Sequence, residues 1–526
     1  MLRLPGFLLR SGFKALAVYL LLQVSAPAGA ACIPLAGVDI EVDDGQLPAA
    51  TRRELIDSLL GSCIDTALLR DILSRISGYF IDNGYVTTRP YLLEQDINDG
   101  QVEIRVLVGT IEAIVDADTG ASNRKIATAF LFNDDVLNLR ELESSLEMIE
   151  RADSVQAEFE IRPGTRQGSS VIAIRTVETN PLSLELGANA QTDLDSRLSF
   201  QAGFDNPLDI NDILTLRFNS GDVRETYQSN SSRELAYSFP LGAYLVEFSH
   251  SDVSYTQRIQ GVNDSFVADG DTLADQLGVS RVIARTRASR LSLGLSLKLE
   301  DTRNFLEGEL IEVSSYKTSQ LQLELRHDWY RPWGQLVTRY IFHQGLDSFG
   351  ARDDEFYTRG GAPGSEARLQ FEKLSLDSRL LVYLADPRWQ LSHNLHLQYS
   401  DDILFDSDKL NLGGPYTVRG YASALSGGNA WYLRSDITRQ MQTVVDSDSA
   451  GNLAKMIALS LGVDYGEVEC AADNADACGE IYGVGLGLLF RDANFSGRLL
   501  WGHPLKELGD DSGREDQYLL DLRWVL

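Results

Sequence analysis

From residue 178 to residue 526, apolar and polar side chains alternate with a period of two. The alternating segments run for roughly ten to fifteen residues and are parted by clusters of Gly, Asp, Asn and Pro. Successive side chains leave a strand on opposite sides, so this period predicts β-strands with two unlike faces. In "WQLSHNLHLQYS", Trp389, Leu391, Leu395, Leu397 and Tyr399 share one face, and Gln390, Ser392, Asn394, His396 and Gln398 share the other. The last segment repeats the pattern, with Tyr518, Leu520, Leu522, Trp524 and Leu526 set against Asp521 and Arg523. A soluble sandwich also alternates. Long segments, Trp and Tyr near their ends and a final segment that closes the chain favour a membrane barrel, where every backbone hydrogen bond must close between strands. Roughly sixteen segments are predicted, an even number that returns the C-terminus to the periplasmic side.

Before residue 178 the period changes to that of helices mixed with short strands. Residues 31–109 carry "TRRELIDSLL" and "DTALLRDILSRISGYFIDNG", the second with Leu68, Leu69, Ile72, Ile76 and Phe80 at helical spacing. Asp65 is its predicted N-cap and Gly84 its stop. "QVEIRVLVG" then alternates Val102, Ile104, Val106 and Val108 as a strand. Residues 110–177 repeat the plan, with "IEAIV", a helix in "LNLRELESSLEMIERADS", and the strands "VQAEFEIRPG" and "SSVIAIRTVE". The predicted fold is therefore mixed: two small α/β modules, then an antiparallel 16-stranded transmembrane β-barrel over residues 178–526. Modules of this size have no room for an active-site cleft and point to binding.

Residues 1–30 read as a removable export leader. Arg3, Arg10 and Lys14 open it, "ALAVYLLLQV" is an apolar centre too short to span a bilayer, and "AGA" ending at Ala30 is a cleavage site. Gly29 disfavours a lipid anchor on Cys32. No later stretch holds the about eighteen apolar residues of a membrane helix. The formal net charge of −29 argues against nucleic acid as a partner. Four cysteines suit an oxidising compartment; three pairings are open to them, and proximity favours Cys32 with Cys63 and Cys470 with Cys478. No histidine stands near either pair, and His393 and His396 fall on opposite faces, so no metal site is predicted. "GVGLG", Gly483 to Gly487, lies inside a strand, where its glycines clear one face and make no phosphate loop. No nucleophile–base pair or cofactor motif is present, so the chain is not read as an enzyme.

Several segments together resemble one family. "NGYVTTRPYLLEQDINDGQVEIRVLVG", Asn83 to Gly109, resembles the first POTRA module of two-partner secretion transporters, the ShlB/FhaC/HecB family, and the Cys32–Cys63 spacing fits it. The next module resembles that family's second POTRA module, and "GFDNPLDINDILTLRF" its first periplasmic turn. "VRGY", Val418 to Tyr421, matches the tip of its sixth extracellular loop, and "GVDYG", Gly462 to Gly466, the barrel-wall motif that pairs with it. The resemblance implies an outer-membrane transporter with its POTRA modules in the periplasm. It implies a secreted, TpsA-like exoprotein exported unfolded through the barrel without nucleotide or cofactor. Outer-membrane lipid surrounds such a barrel, and the outer-membrane assembly machinery inserts it. The rival reading is an assembly factor for other outer-membrane proteins; a passive porin leaves residues 31–177 unexplained.

If the loop near residues 401–428 returns into the barrel, Arg419 leaves bulk water and needs a carboxylate partner for its planar fork. Asp464 alternates with Val463 and Tyr465 and so faces the lumen when they face lipid. Gly420 frees the loop tip, and Gly462 and Gly466 leave room beside Asp464. An Arg419–Asp464 latch is the expectation. Leu92, Glu94, Gln95 and Asp96, beside the predicted sheet edge of the first module, are candidates for cargo contact against an ordinary turn. Two departures from the family pattern stand out. Cys32 follows the leader directly, with no room for a plug helix, so loop closure alone is expected, with a leakier channel; and the last residue is Leu526 where such barrels carry Phe. Cys470 and Cys478 bracket an acidic outward loop read as a structural staple.

Overall fold

A computed structural model describes residues 32–526 apart from 43–46, 131–135, 193, 222–227, 262–263, 355–366, 422–423, 442–455, 472–476 and 507–515. The expected leader and most of the segment between Cys470 and Cys478 lie outside the described residues. The chain divides into two units between Gly109 and Thr110.

In the first unit, β1 (Gly37–Val42) runs parallel to β3 (Gln101–Leu107), and β2 (Arg89–Leu92) runs antiparallel to β3 on its other side. Helices α1 (Ala49–Ile56) and α2 (Thr66–Asp82) accompany this sheet. Leu68, Ile72, Ile76 and Phe80, four residues apart, form the buried stripe of α2 and join Val102, Ile104 and Val106 of β3 in one core. The Asp65 carboxylate caps α2 by accepting from the backbone N–H of Ala67 and Leu68, at 2.9 and 2.7 Å. Gly84 leaves the helix at φ +93°, where a Cβ would be strained. A disulfide joins Cys32 to Cys63.

The second unit begins with the same plan. β4 (Thr110–Asp116) runs parallel to β6 (Ser169–Glu178), and β5 (Val155–Pro163) antiparallel to it, with α3 (Arg124–Ala129) and α4 (Leu139–Ile149) between. In both modules the last strand is central. β1, β2 and α3 are short and escaped the pattern reading, because six residues or fewer show too little of either period.

The rest of this unit is a closed barrel of sixteen long antiparallel strands, from Leu182–Gln191 to Gln517–Val525, with a two-residue hairpin strand at Glu309–Leu310. The first and last strands pair from Gln191 with Leu519 to Glu185 with Val525, so no edge is left open. Orientation follows from alternation: Val463 is 56% exposed on the outer face, while the next residue, Asp464, is fully buried inside. Leu186, Phe200, Phe248, Leu277 and Leu295 also stand exposed on the outer face, where hydrocarbon is the fitting solvent.

The α/β module of this unit is docked on short turns at one end of the barrel. Glu147 on α4 accepts from Arg285 Nη1 and Nη2, at 2.7 and 2.6 Å, and from Arg290 Nη1 at 3.3 Å. Arg290 in turn donates to the buried Asp328. Lys125 pairs with Glu178 and with Asp209. Burial pushes the Lys125 ammonium down, but both carboxylates outweigh it and hold the group above its usual range. Asp209 lies in the turn "DNPLDIND", where Asn206, Asp209 and Asn211 all adopt positive φ. Asn and Asp tolerate that region better than other side chains. Asp212 fixes the turn by accepting from Tyr237 Oη at 2.9 Å.

Candidate functional site in the returning loop

Strands Trp389–Tyr399 and Ala430–Met441 are joined by a loop that turns back into the barrel. Its arms pair as a short ladder, Leu410–Leu412 with Leu425–Gly427. Between them runs "GGPYTVRGY". Gly413 and Gly414 sit at φ +114° and +104°, and the Thr417 hydroxyl closes the turn on the N–H and C=O of Gly413, each at 2.9 Å. At the loop's root, Lys373 Nζ and Gln398 Nε2 both donate to the Asp408 carbonyl at 3.0 Å.

The loop delivers Arg419, 2% exposed, to two aspartates on the wall. Its Nε and Nη2 donate to the two oxygens of Asp464, at 2.5 and 2.6 Å, and its backbone N–H adds a third bond at 3.0 Å. Nη1 donates to Asp436 Oδ1 at 2.7 Å. Arg434 bridges the other oxygen of Asp436 to the Pro415 carbonyl of the loop. Two cations and two carboxylates thus balance in a largely buried site. A buried ion is tolerable only where such bonds replace its hydration.

Glycines make the space. A Cβ at Gly462 would overlap the Arg419 guanidinium, one at Gly466 would press on Leu412 and Val418, and one at Gly485 would meet the Arg419 side chain at 2.6 Å. Gly420, at φ +91°, lies against the backbone of His503 and Pro504, so no Cβ fits there. Val418 and Tyr421 are fully buried with Leu412, Leu425, Val468 and Ile481. The Tyr421 hydroxyl accepts from Lys506 N at 3.1 Å and reaches the Tyr482 carbonyl at 3.0 Å. The Cys470–Cys478 disulfide borders this cluster, and the Ala477 carbonyl accepts from Ser426 N at 2.9 Å.

Tyr416 of the loop also lines two cavities, of about 720 and 750 Å³. Arg197, Arg217 and Arg523 line the first, and Arg326, Arg339, Arg379 and Arg498 the second.

Val418, Arg419, Gly420, Tyr421, Gly462, Asp464 and Gly466 therefore meet at one place. Asp436 and Arg434, which no motif marks, belong to it as well, with Gly485 of the "GVGLG" segment. Alternation sets Arg434 and Asp436 on one face of their strand, but it is the register, Asp436 with Gly462, Arg434 with Asp464 and Gly462 with Gly485, that brings them to the site. Leu92, Glu94, Gln95 and Asp96 lie in the other unit and do not form one cluster. Leu92 packs on the core, Glu94 is exposed, and Asp96 holds a turn by accepting from Asn98 N at 3.0 Å. The Gln95 amide is committed to β3, where it bonds the Glu103 N–H and C=O at 2.6 and 2.7 Å. Among the described residues, no group of three or more His, Cys, Asp or Glu is placed to hold a metal ion.

A family model for haemolysin secretion/activation proteins of the ShlB/FhaC/HecB type matches residues 168–490. The chain belongs to this family. Its ShlB-type POTRA domain spans residues 34–109, and a further POTRA domain matches residues 110–163. Outer membrane transporter CdiB of Escherichia coli strain 536 is 27% identical over 467 residues, which cover 88% of this chain and 77% of that relative. The solved structure of CdiB from Escherichia coli has the same fold, with a TM-score of 0.83 at 24% identity over 96% of this chain and 92% of that one. BamA from Haemophilus ducreyi is more distant, with a TM-score of 0.50 at 13% identity over 94% of this chain and all of that one. As a ShlB/FhaC/HecB protein the chain is an outer-membrane transporter of two-partner secretion, with POTRA domains in the periplasm.

Proposed function

We propose that this transporter takes up an unfolded exoprotein in the periplasm and passes it through its barrel, and that the Arg419 anchor holds the returning loop in place between passages. The buried bonding of Arg419 to Asp464 and Asp436 carries this reading. Holding a loop in a pore with a desolvated ion cluster makes its position two-state, because the guanidinium is either fully bonded or lost to water. The cargo adds a strand through main-chain hydrogen bonds to a sheet edge, for which β2 and β5, at the edges of their sheets, supply candidates. Leu92 on β2 and the exposed Glu94 beside it remain the candidate contacts; Gln95 and Asp96 act within the module. Folding of the cargo outside biases its transit without nucleotide. Lipid contacts the apolar outer face, and the outer-membrane assembly machinery inserts the barrel.

The test is export of the cognate exoprotein by Arg419→Ala. Losing one partner of a buried pair costs about 3–5 kcal/mol. Export should therefore fall at least about tenfold while the barrel still migrates as a folded, heat-modifiable band. Export at the unmodified level would contradict the anchor.

A further inference from the structure

The anchor on Asp464 and Asp436 engages only two strands of the wall, Ala430–Met441 and Met456–Val468. Beside the bonds of the Tyr421 hydroxyl to the Tyr482 carbonyl and Lys506 N, a further attachment lies on the last strand. Gln517 is 4% exposed; its Oε1 accepts from Gly420 N at 3.2 Å, and its Nε2 donates to the Tyr421 carbonyl at 2.6 Å. One side-chain amide thus bonds both an N–H and a C=O of the loop tip, as a neighbouring strand would. Gly420 sits against the backbone at Pro504 with no room for a side chain of its own. Without Gln517, those two main-chain groups would be buried and lack this partner, a condition folded proteins avoid.

The next residue belongs to the closing seam. Tyr518 O accepts from Thr192 N at 3.0 Å, its N–H donates to Thr192 Oγ1 at 2.9 Å, and the ladder between last and first strands begins at Leu519 with Gln191. Successive residues therefore hold the loop and the seam. We infer that Gln517 is a positioning residue of the transporter, a neutral second clasp that ties the loop tip to the strand closing the barrel. It rests on the reading that the returning loop obstructs the pore. The two clasps divide the work: the ion cluster fixes the depth of Arg419, and Gln517 fixes the direction of the main chain beyond it. Losing Gln517 leaves Arg419 bonded but lets the tip swing, giving brief openings without full release.

The test is single-channel recording of the full-length protein in planar bilayers, with folding of each variant checked by heat-modifiable migration. Arg419→Ala and Gln517→Ala are recorded beside the unmodified protein. Gln517→Ala should raise the open fraction about tenfold, in brief events, from the loss of two buried bonds. Gln517→Glu supplies the decisive arm. At neutral pH its carboxylate still accepts from Gly420 N but opposes the Tyr421 carbonyl, so the channel should open at least as often as Gln517→Ala. On acidification the carboxyl gains an O–H that donates to that carbonyl, and the open fraction should fall back. Asp464, Asp436, Arg419, Tyr421, Lys506 and the His503–Asp516 pair also lie near, so Gln517→Ala at both pH values accounts for their titration. Reversal within one folded variant separates positioning from a folding defect. A closed Gln517→Ala channel beside an open Arg419→Ala channel overturns the clasp alone, as does a Gln517→Glu channel that acid does not quiet. If neither alanine variant opens the channel, the reading of the loop fails with it.

Discussion

Arg419 is held at four points by two carboxylates on adjacent strands, and each contact answers a separate part of its desolvation. A lysine would carry the charge but has no fork to span Asp464 and Asp436 together. In the second POTRA module, Glu112 on β4 likewise gathers several donors, from the turn that leads into β6. Ser169 Oγ donates to it at 2.5 Å, and the N–H and hydroxyl of Thr165 each donate at 2.7 Å. These bonds, Ser169 first and then Thr165, hold its pKa down to about 2 from 4.5. Because the folded value is depressed, its contribution is present above about pH 4.5 and disappears as pH falls through about 2. Glu112→Gln should remove that dependence, so acid titration of module unfolding between those values should be flatter than in the unmodified protein. An unchanged acid limb would contradict the assignment.

At this scale the sequence was partly legible. Alternation put Asp464 in the lumen and Gly462 and Gly466 beside it, because parity along a strand is a local property. Asp436 escaped because choosing it requires the register between two strands, which the sequence does not print. Gly485 clears one face of its strand, but nothing local says that an arginine from a distant loop fills the space.

At the scale of elements, the ion cluster of Glu147 with Arg285 and Arg290 couples α4 to the periplasmic turn between strands Ser265–Arg285 and Ser289–Leu306. Burial opposes the charge on Glu147, but the two arginines outweigh it and hold the carboxyl below its usual range. The docking contribution is therefore present above the ordinary carboxylate value and lost as pH falls through the lowered one. Glu147→Gln should increase hydrogen exchange in α4 and in that turn at neutral pH, severalfold and locally, since the side chain is 41% exposed and its pairs are partly screened. Unchanged exchange there would mean that other contacts dominate. Helix α2 was readable because its apolar stripe repeats over seventeen residues and its cap is a local Asp–N–H bond. β1 and β2 were not, since their identity comes from pairing with β3 across the module.

For the whole molecule, the membrane supplied the strongest sequence signal. Alternation over sixteen strands, apolar outward and polar inward, is dictated by lipid outside and water within, so the barrel was legible before any contact was known. The place of the loop tip was legible only through resemblance, because it meets residues 17 to 97 positions away in sequence. Export of a dedicated exoprotein and assembly of other barrels leave different traces in the cell. Mass spectrometry of the medium and of the outer membrane, from cells with and without the protein, tells them apart most directly. For a dedicated exporter, one large protein is lost from the medium with the outer-membrane barrels unchanged; depletion of many barrels from the outer membrane would overturn the export reading.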